Sequence, residues 1–314
     1  DQRNAGASVS VSNNVYSADR FRTLFTGPST ATIQQSTTAP VGFVNSIIYT
    51  ITSGGSSNSL QQAGLWQRLE GANCSDFAWG TASATTVTLS FWVRSSLTGT
   101  YCVYLKNSGN TRSYVDTYSI TSANTWEKKT ITIAGDTSGT WLTDNGIGIT
   151  LGWDLKSGTS WETTAGSWAS GTYNNTTAQV DFVGTTGATW QITGVQLEKG
   201  STATDFEYVD YSRQLQQCQR YYQKFEEGTD NSFSLGTVWT TTLFFAVRSF
   251  SPMRAMPTGS ASAANAISFF SAAAAKPATS LTVAQFSNAS FEVVCGASGM
   301  SPGAAGFIRF AAGG

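Results

Sequence analysis

Apolar and polar residues alternate along much of residues 1–204, which is the pattern of half-buried β-strands. In the clearest run, VTLSFWVR at 87–94, every second residue is apolar and falls on one face. Further strands are predicted at 30–40, 43–54, 65–71, 101–106, 126–134, 146–154 and 190–197. Gly, Ser, Thr, Asn and Pro separate these runs, so the spacing predicts an all-β fold, a jelly-roll β-sandwich over residues 1–204.

Residues 205–228 (DFEYVDYSRQLQQCQRYYQKFEEG) form the long segment with helical spacing. Apolar positions recur at alternating intervals of four and three residues, the seam of a short coiled coil: Tyr211, Leu215, Cys218, Tyr222 and Phe225. Acidic residues near the start favour the helix N-terminus, and a glycine ends the segment: Asp205, Glu207, Asp210 and Gly228. Two interpretations stay open, an amphipathic helix packed on a neighbouring domain or a seam that joins identical chains.

Residues 229–314 differ in composition from the preceding segments, with many Ala and Gly residues between short strand-like runs. This pattern predicts a small C-terminal β domain, or knob. Asp230 and Glu292 are its acidic residues. Because so small a block has weak grounds for folding alone, we expect its apolar surface to be buried against copies of itself.

Composition excludes several classes of partner. The chain has 314 residues, 12% of them charged, and a net charge of -1, which gives no electrostatic case for binding nucleic acid or an anionic membrane. No apolar run suits a membrane span and no signal peptide is visible. The chain starts at Asp1 rather than Met, so we expect an upstream segment to have been cleaved or left out.

The chain contains no histidine, which excludes Ser-His-Asp and Cys-His catalysis and histidine general bases. The cysteines at 74, 102, 218 and 295 form no CxxC pair, so no zinc site is predicted. We expect buried free thiols in a protein assembled in a reducing cytoplasm.

Three segments resemble a known family: DQRNAGASV with DRF at 19–21, SFWVRSS at 90–96, and ITGVQLEKGSTATDFEYVDYSRQLQQCQRYYQKF at 192–225. Together with MRAMPT at 253–258, they resemble the distal parts of bacteriophage tail fibres and related virion surface proteins. The resemblance implies a jelly roll similar to carbohydrate-binding modules, a homotrimer, contacts with other virion proteins and a place on the virion after assembly in the bacterial cytoplasm. The family's usual N-terminal attachment region is lacking, so tail fibre, head fibre and capsid-surface protein stay open.

The best candidate for ligand binding is the aromatic segment 153–173 (WDLKSGTSWETTAGSWASGTY). Sugars stack their C–H faces on indole rings and need carboxylate or amide partners for their hydroxyls. The candidate residues are Trp153, Asp154, Trp161, Glu162, Trp168 and Tyr173. In the alternative interpretation Trp153 ends a core strand and Trp168 pins a loop onto the sandwich, and a core position is predicted for Trp66, Trp92, Trp126 and Trp190.

A second candidate is a distal receptor face in the C-terminal block, for which trimer packing is the alternative. It would comprise Arg248, Arg254, Met256 and residues 307–310.

Hydrolysis of a glycoside needs two carboxylates about 5–9 Å apart across a cleft. Asp154 with Glu162, or Asp144 with Asp181, are the pairs that could be nominated, but acids beside loops commonly form turns. No enzyme and no cofactor are therefore predicted. A structural calcium ion is implied only by the likeness to carbohydrate-module jelly rolls, since no DxDxDG-like loop is present.

The sequence thus predicts a trimeric phage fibre protein that binds the host surface, specifically polysaccharide, without covalent chemistry. A structural or decoration protein of the capsid is the competing hypothesis, and particle instability without loss of adsorption would favour it. A polysaccharide depolymerase is the third, and would release new reducing ends.

Overall fold

The computed structural model describes residues 6–55, 58–225, 232–259, 267–271 and 274–310. The chain divides into two compact units, Asp1–Val209 and Asp210–Gly314. Each unit has its own hydrophobic core. The helix belongs to the second unit, whereas the sequence predicted a separate connector.

Short β-strands build the first unit. In chain order they are β1 Val9–Ser10, β2 Tyr16–Ala18, β3 Phe21–Thr26, β4 Thr30–Ser36, β5 Ser46–Ser53, β6 Gln62–Glu70, β7 Val87–Ser95, β8 Gly99–Lys106, β9 Arg112–Ile120, β10 Glu127–Ile133, β11 Ile147–Asp154, β12 Ser167–Ser170 and β13 Thr189–Lys199. Each strand expected from the alternating pattern is present. The predicted set lacks β1, β2, β3, β9 and β12. In β9, Asp116 interrupts the apolar side formed by Tyr114 and Tyr118.

The strands form two antiparallel sheets, one of six strands in the order β1-β4-β5-β13-β7-β10 and one of seven in the order β12-β9-β8-β11-β6-β3-β2. The sheets pack face to face, with the rings of Phe91 on β7 and Trp153 on β11 centred 5.7 Å apart. Phe25 on β3 and Tyr49 on β5 make a similar contact at 6.3 Å. The first unit is therefore the all-β, jelly-roll type of sandwich that the sequence predicted.

Alternation places the core side chains between the sheets. On β7, the four apolar residues of the predicted face are 0% exposed: Val87, Leu89, Phe91 and Val93. Trp190 is also 0% exposed, as predicted. Trp92 projects from the other side of β7 and is half-buried, as is Trp126, so the predicted core position is wrong for both.

The side of the seven-stranded sheet that points away from this core is the outer face. Strand register places Arg22, Trp66, Gly152, Tyr104 and Val115 in one row across β3, β6, β11, β8 and β9. A Cβ at Gly152 would overlap the ring of Tyr104, so glycine lets that ring lie over β11. Trp66, Tyr104 and Val115 belong to a separate apolar cluster, which makes the outer face a second layer of packing.

The second unit contains a helix and one antiparallel sheet. Its elements are α1 Tyr211–Gln219, β14 Ser232–Val238, β15 Leu243–Ser249, β16 Ile267–Ser271, β17 Ala274–Pro277, β18 Ser280–Ala284, β19 Ser290–Gly296 and β20 Ala305–Phe310. The sheet has seven strands in the order β17-β16-β20-β14-β15-β19-β18. Its core includes Phe244, Val293, Cys295 and Ile308, none more than 1% exposed, as expected for a small β domain.

The helix has 9 residues and is shorter than the predicted 205–228. It ends early because the carbonyl of Arg220 accepts the N–H of Arg254 at 3.0 Å, a bond outside the helix. Tyr222 therefore lies beyond the helix, and Phe225 packs on Phe291 in the core of the unit at 5.7 Å. Neither residue extends the seam, so that part of the prediction is wrong.

The N-terminus of α1 is capped by Asp210, whose carboxylate accepts the N–H of Ser212 at 2.9 Å. Asp205 and Glu207 precede the helix and lie outside its first turn, so their predicted interaction with its N-terminal end is wrong. Gly228 lies outside the described residues.

Cys74, Cys102 and Cys295 are buried free thiols, as predicted, and Cys218 is half-buried on α1. Burial raises the pKa of each of the three buried thiols to about 12. These thiols are therefore protonated at neutral pH and poor nucleophiles.

In the part of the chain that the structure describes, no helix has both the length and the apolar character needed to cross a bilayer.

Candidate functional site

Trp153 is a core residue. It is 0% exposed, and its ring lies between Phe21 and Phe91, with centroids 6.4 and 5.7 Å away. A sugar cannot reach this ring, so the predicted ligand role of Trp153 is wrong and the alternative interpretation, a core strand end, holds.

Asp154 points to the outer face but is also 0% exposed. Its carboxylate accepts the backbone N–H groups of Lys156 at 3.0 Å and Ser157 at 2.7 Å, together with the Ser157 hydroxyl. Burial raises the pKa of Asp154 to about 6, while the hydrogen bonds from Ser157 oppose this rise. Because all of its contacts are internal, the predicted ligand contact is wrong here too.

The network around Asp154 holds residues 172–179 against the outer face. Gln179 Nε2 donates to the Asp154 carbonyl at 2.6 Å. Lys106 Nζ on β8 donates to Thr172 Oγ1 at 2.8 Å and to the side chain of Asn174. Burial lowers the pKa of Lys106 to about 8. This segment therefore covers the part of the outer face formed by β8 and the end of β11.

Trp161 and Glu162 lie in the loop that follows β11. Trp161 is half-buried and donates its indole N–H to the carbonyl of Leu60 at 3.2 Å. Glu162 is half-buried as well, and its Oε1 lies 3.9 Å from Lys156 Nζ. Their ligand role stays a prediction, since both keep some exposed surface.

Trp168 on β12 belongs to a group of packed indoles. Its ring centre lies 5.2 Å from that of Trp79 and 5.3 Å from that of Trp141, both in edge-on contact. Its N–H donates to the carbonyl of Ala134 at 2.7 Å. The cavity beside Trp79 and Trp141 measures about 10 Å³, room for a single water and not for a sugar. Trp168 thus packs as the alternative interpretation predicted.

Tyr173 is the predicted site residue that joins the outer face. It is half-buried and packs on the cluster that contains Trp66 and Tyr104. Gly171 precedes it at φ 117°, a backbone angle that other residues rarely adopt, and accepts the Ser113 hydroxyl from β9 at 3.0 Å. This turn fixes the ring against the sheet.

Four side chains from β2, β3 and β6 complete the outer face, and together they form the arginine–aromatic patch: Tyr16, Arg22, Trp66 and Arg68. Arg22 Cζ lies 4.9 Å from the ring centre of Tyr16 and 4.8 Å from that of Trp66. Arg68 Cζ lies 4.5 Å from the same Trp66 ring. Trp66 is 5% exposed, whereas Tyr16 is 37% exposed and Arg68 is exposed. The patch is a buried indole with charged planar groups and a tyrosine at its solvent edge.

A neutral backbone group orients Arg22. Its Nε and Nη2 both donate to the carbonyl of Asn14, at 3.3 and 2.8 Å. Asn14 has φ 61°, a left-handed turn residue that aims this carbonyl at β3. The guanidinium is therefore fixed before any ligand arrives, with donors left over for oxygen atoms.

The arrangement suits a ligand that presents both C–H surface and oxygen atoms. Aromatic rings offer apolar surface, and stacked guanidinium groups offer several donors in a fixed plane. Tyr173 on one side and Tyr16 on the other extend the accessible aromatic surface across the sheet, while Tyr104 is buried beneath them.

The sequence pattern missed Tyr16, Arg22 and Arg68. It correctly predicted that Trp66 is buried, although the ring lies in the outer-face cluster and not between the sheets. A partial signal exists: Phe21, Thr23 and Phe25 point one way on β3, which leaves Arg22 on the other side. Trp66 and Arg68 likewise alternate with apolar residues of β6. The pattern could not predict that β3 pairs with β6, a pairing that places Arg22 directly beside Trp66.

The residues predicted to form a distal receptor face in the second unit have different surroundings. Met256 is 69% exposed, Arg248 lies 5.5 Å from the ring of Phe225, and Ile308 is 0% exposed. Ile308 is thus a core residue and cannot be part of a receptor face. The side chains of residues 309 and 310 are outside the described part of the chain.

The nominated carboxylates form turns. Asp144 Oδ1 accepts the N–H of Gly146 at 2.8 Å, and Asp181 Oδ1 accepts that of Gly184 at 3.1 Å. Across the described residues, no three Cys, Asp or Glu side chains gather as a metal site would require. The possible calcium ion stays a prediction.

No protein-family model and no curated protein sequence matches the chain. Among solved structures, the enzymatically active domain of tailspike protein 4 of bacteriophage CBA120 is similar over 60% of this chain, at 12% identity and a TM-score of 0.33. The match spans only 21% of that tailspike domain.

Two further structures match most of their own length. A family 11 carbohydrate-binding module from Clostridium thermocellum, solved with a β-1,3-1,4-mixed-linked tetrasaccharide, matches 63% of this chain and 98% of its own, at 11% identity and a TM-score of 0.33. A putative sugar binding protein from Bacteroides thetaiotaomicron matches 61% of this chain and 95% of its own, at 14% identity and a TM-score of 0.36. Likeness this distant assigns no ligand and no role.

Proposed function

We propose that this chain is a non-enzymatic surface protein of a bacteriophage particle that binds a polysaccharide of the bacterial host through the outer face of its sandwich. The arginine–aromatic patch carries the proposal. It puts ring surface and fixed hydrogen-bond donors together on one face, which is the chemistry that a sugar ring requires. The assignment to a virion rests on the resemblance of residues 192–225 to phage fibre proteins.

The shape of the site favours a polymer over a small molecule. The patch lies on the open face of a sheet, with Tyr16 on β2 at one side, and Tyr173 extends the aromatic surface on the other side. Small ligands are usually held in closed clefts that bury most of their surface. A chain of sugars can instead make several shallow contacts across the face.

The absence of catalysis is part of the proposal. Hydrolysis would need a carboxylic acid that can reach the scissile bond. Asp154 is enclosed by its own turn, and Asp144 and Asp181 accept backbone N–H groups two and three residues ahead. These acids act as structural groups in the proposed binder.

We also propose that the chain assembles as a homotrimer through α1. Tyr211, Leu215 and Cys218 keep the seam spacing, yet no residue of the helix is buried within its own chain. A helix of 9 residues is marginal in water without packing. Covering the seam with the same seam of two other chains would supply that packing, and other virion proteins would contact the assembly elsewhere.

The proposal is tested by binding of the labelled full chain to bacterial cells, with the polysaccharide extracted from the same cells as competitor. We expect saturable binding that the extracted polysaccharide abolishes, with no new reducing ends after long incubation. Release of reducing ends would indicate a depolymerase. A folded assembly that binds no cells of a broad strain panel would favour the structural role on the capsid.

A further inference from the structure

We infer that the polysaccharide bound by the outer face is acidic, and that Arg22 holds an oxyanion of the ligand, a carboxylate, sulfate or phosphate group. This inference rests on the proposed binding function and adds the chemical class of the ligand.

On the outer face, acidic side chains are buried, whereas two arginines reach solvent. Its acidic side chains, Asp154 and Glu70, are 0% and 6% exposed. Its cation Lys106 is 5% exposed, under residues 172–174. Two arginines of this face reach solvent, Arg22, which is half-buried, and Arg68, which is exposed. Among these side chains the arginines thus reach solvent, while the acids Asp154 and Glu70 are buried.

Arg22 makes no ion pair with any described residue. Its hydrogen bonds go to the neutral carbonyl of Asn14. Arg112 shows the contrasting case, since its guanidinium makes two bonds to the Asp136 carboxylate, at 2.7 and 2.8 Å. Arg22 has no such carboxylate among the described residues, and its Nη1 group is left for another partner.

The surroundings of Arg22 strengthen its attraction to an anion. Arg22 and Arg68 lie within 5 Å of the same Trp66 ring centre, so two like charges share one indole. The ring is 5% exposed, and charge interactions beside a buried apolar group are weakened less by water. An oxyanion bound by Arg22 would lie beside this buried indole.

Geometry selects an oxyanion rather than a neutral hydroxyl. Because Nε and one N–H of Nη2 bind Asn14, the remaining N–H groups of Nη1 and Nη2 form a pair at the spacing of two oxygens of a carboxylate, sulfate or phosphate. Its plane is already set by Tyr16, Trp66 and the carbonyl of Asn14. The sugar ring that carries the anion can then rest on Tyr16, which is 37% exposed.

The test uses an array of immobilised bacterial polysaccharides that carry carboxylate, sulfate or phosphate groups. Each acidic polymer is paired with its neutral counterpart, made by carboxyl reduction, desulfation or dephosphorylation. The full chain is compared with Arg22→Gln, and with Arg94→Gln as matched control. Arg94 also donates its Nε to a loop carbonyl, that of Asn124 at 2.8 Å, but lies on β7 of the other sheet.

We expect the wild type to bind acidic polymers and to lose at least about 10-fold in affinity for their neutral counterparts. Arg22→Gln should lose a similar factor on the acidic polymer and little on the neutral one, while Arg94→Gln binds as the wild type does. Binding to acidic polymers should also weaken as salt rises. The type of polymer that binds identifies which oxyanion is recognised.

Two results would overturn the inference in different ways. Equal binding to both members of a pair, or equal losses for Arg22→Gln on both, would leave saccharide binding intact and remove the acidic ligand. Absence of binding to every polymer by folded wild-type protein would remove the proposed function itself.

Discussion

Arg22 and Asp154 lie on the same face of one sheet but have opposite relations to solvent. Arg22 is half-buried beside Tyr16 and bonds only to a neutral carbonyl. Asp154 is 0% exposed and gives its oxygens to the turn that follows β11. The cation is therefore positioned to meet a ligand, whereas the acid supports the backbone beside the site.

Replacing Asp154 with Asn tests this structural role. Burial raises the folded-state pKa from 3.8 to about 6, so the folded protein binds the proton more tightly than the unfolded chain. The stabilising effect of that proton is complete below about pH 4 and is lost as the pH rises through about 6. A shift of this size corresponds to about 3 kcal/mol.

Asp154→Asn lacks this titration, because its amide is neutral throughout and can still accept the N–H groups of the turn. In urea unfolding, we expect the wild type to lose about 3 kcal/mol relative to Asp154→Asn between pH 4 and pH 7. A difference between the two proteins that stays constant with pH would mean that Asp154 titrates at its ordinary pKa and is not enclosed.

The sequence nominated Trp153 and Asp154 for a saccharide site, and both are buried, whereas the ligand role of Trp161 and Glu162 stays a prediction. Trp next to an acid on an apparent loop suggested ligand contact at Trp153 and Asp154. They are the last two residues of β11. The side chain of Trp153 enters the core, and that of Asp154 is covered by residues 172–179. Burial of that kind depends on a segment returning from later in the chain, which local pattern cannot reveal.

At the level of elements, alternation was a reliable guide to strands and spacing a poorer guide to the helix. The strands of the first unit follow from period-2 apolar positions such as those of β7. The helix was predicted at 205–228 but spans Tyr211–Gln219. Long-range contacts determine its end, since Arg254 binds the carbonyl of Arg220 and Phe225 joins the core of the β domain.

The seam on α1 makes a prediction about assembly. Leu215→Asp would place a charge at the centre of the proposed seam, where burial without a partner is costly. We expect light scattering to show a trimer for the wild type and a monomer for the variant. Gln217→Asp, exposed on another side of the same helix, should leave the trimer intact.

Circular dichroism of both variants would establish that the β-structure is retained. A Leu215→Asp protein that stays trimeric would exclude α1 as the joining element. A wild type that is monomeric at all concentrations would remove the trimer from the proposal.

At the scale of the molecule, the two units have complementary proposed tasks. The sandwich has a separate core and carries the arginine–aromatic patch. The second unit carries the helix seam, in which Tyr211 is exposed and Leu215 and Cys218 are half-buried. A shallow face binds a sugar weakly, but three faces on one assembly can act together on a polymer with much higher avidity. Weak single-site binding is thus compatible with firm attachment to a cell surface.

The most direct test of the central claim is the affinity of the full chain for its polysaccharide when Tyr16 is replaced by Ala. Tyr16 is 37% exposed at the edge of the patch, so its loss should remove a ligand contact with little effect on folding. Tyr208→Ala is the matched control, because Tyr208 is 64% exposed and packs on Phe43 and Phe206, apart from the patch. Both proteins would be titrated with polysaccharide by calorimetry.

We expect Tyr16→Ala to weaken binding by about 10-fold, the loss of one aromatic contact, while Tyr208→Ala binds as the wild type does. Unchanged affinity in a folded Tyr16→Ala protein would contradict the account and move the site away from the outer face.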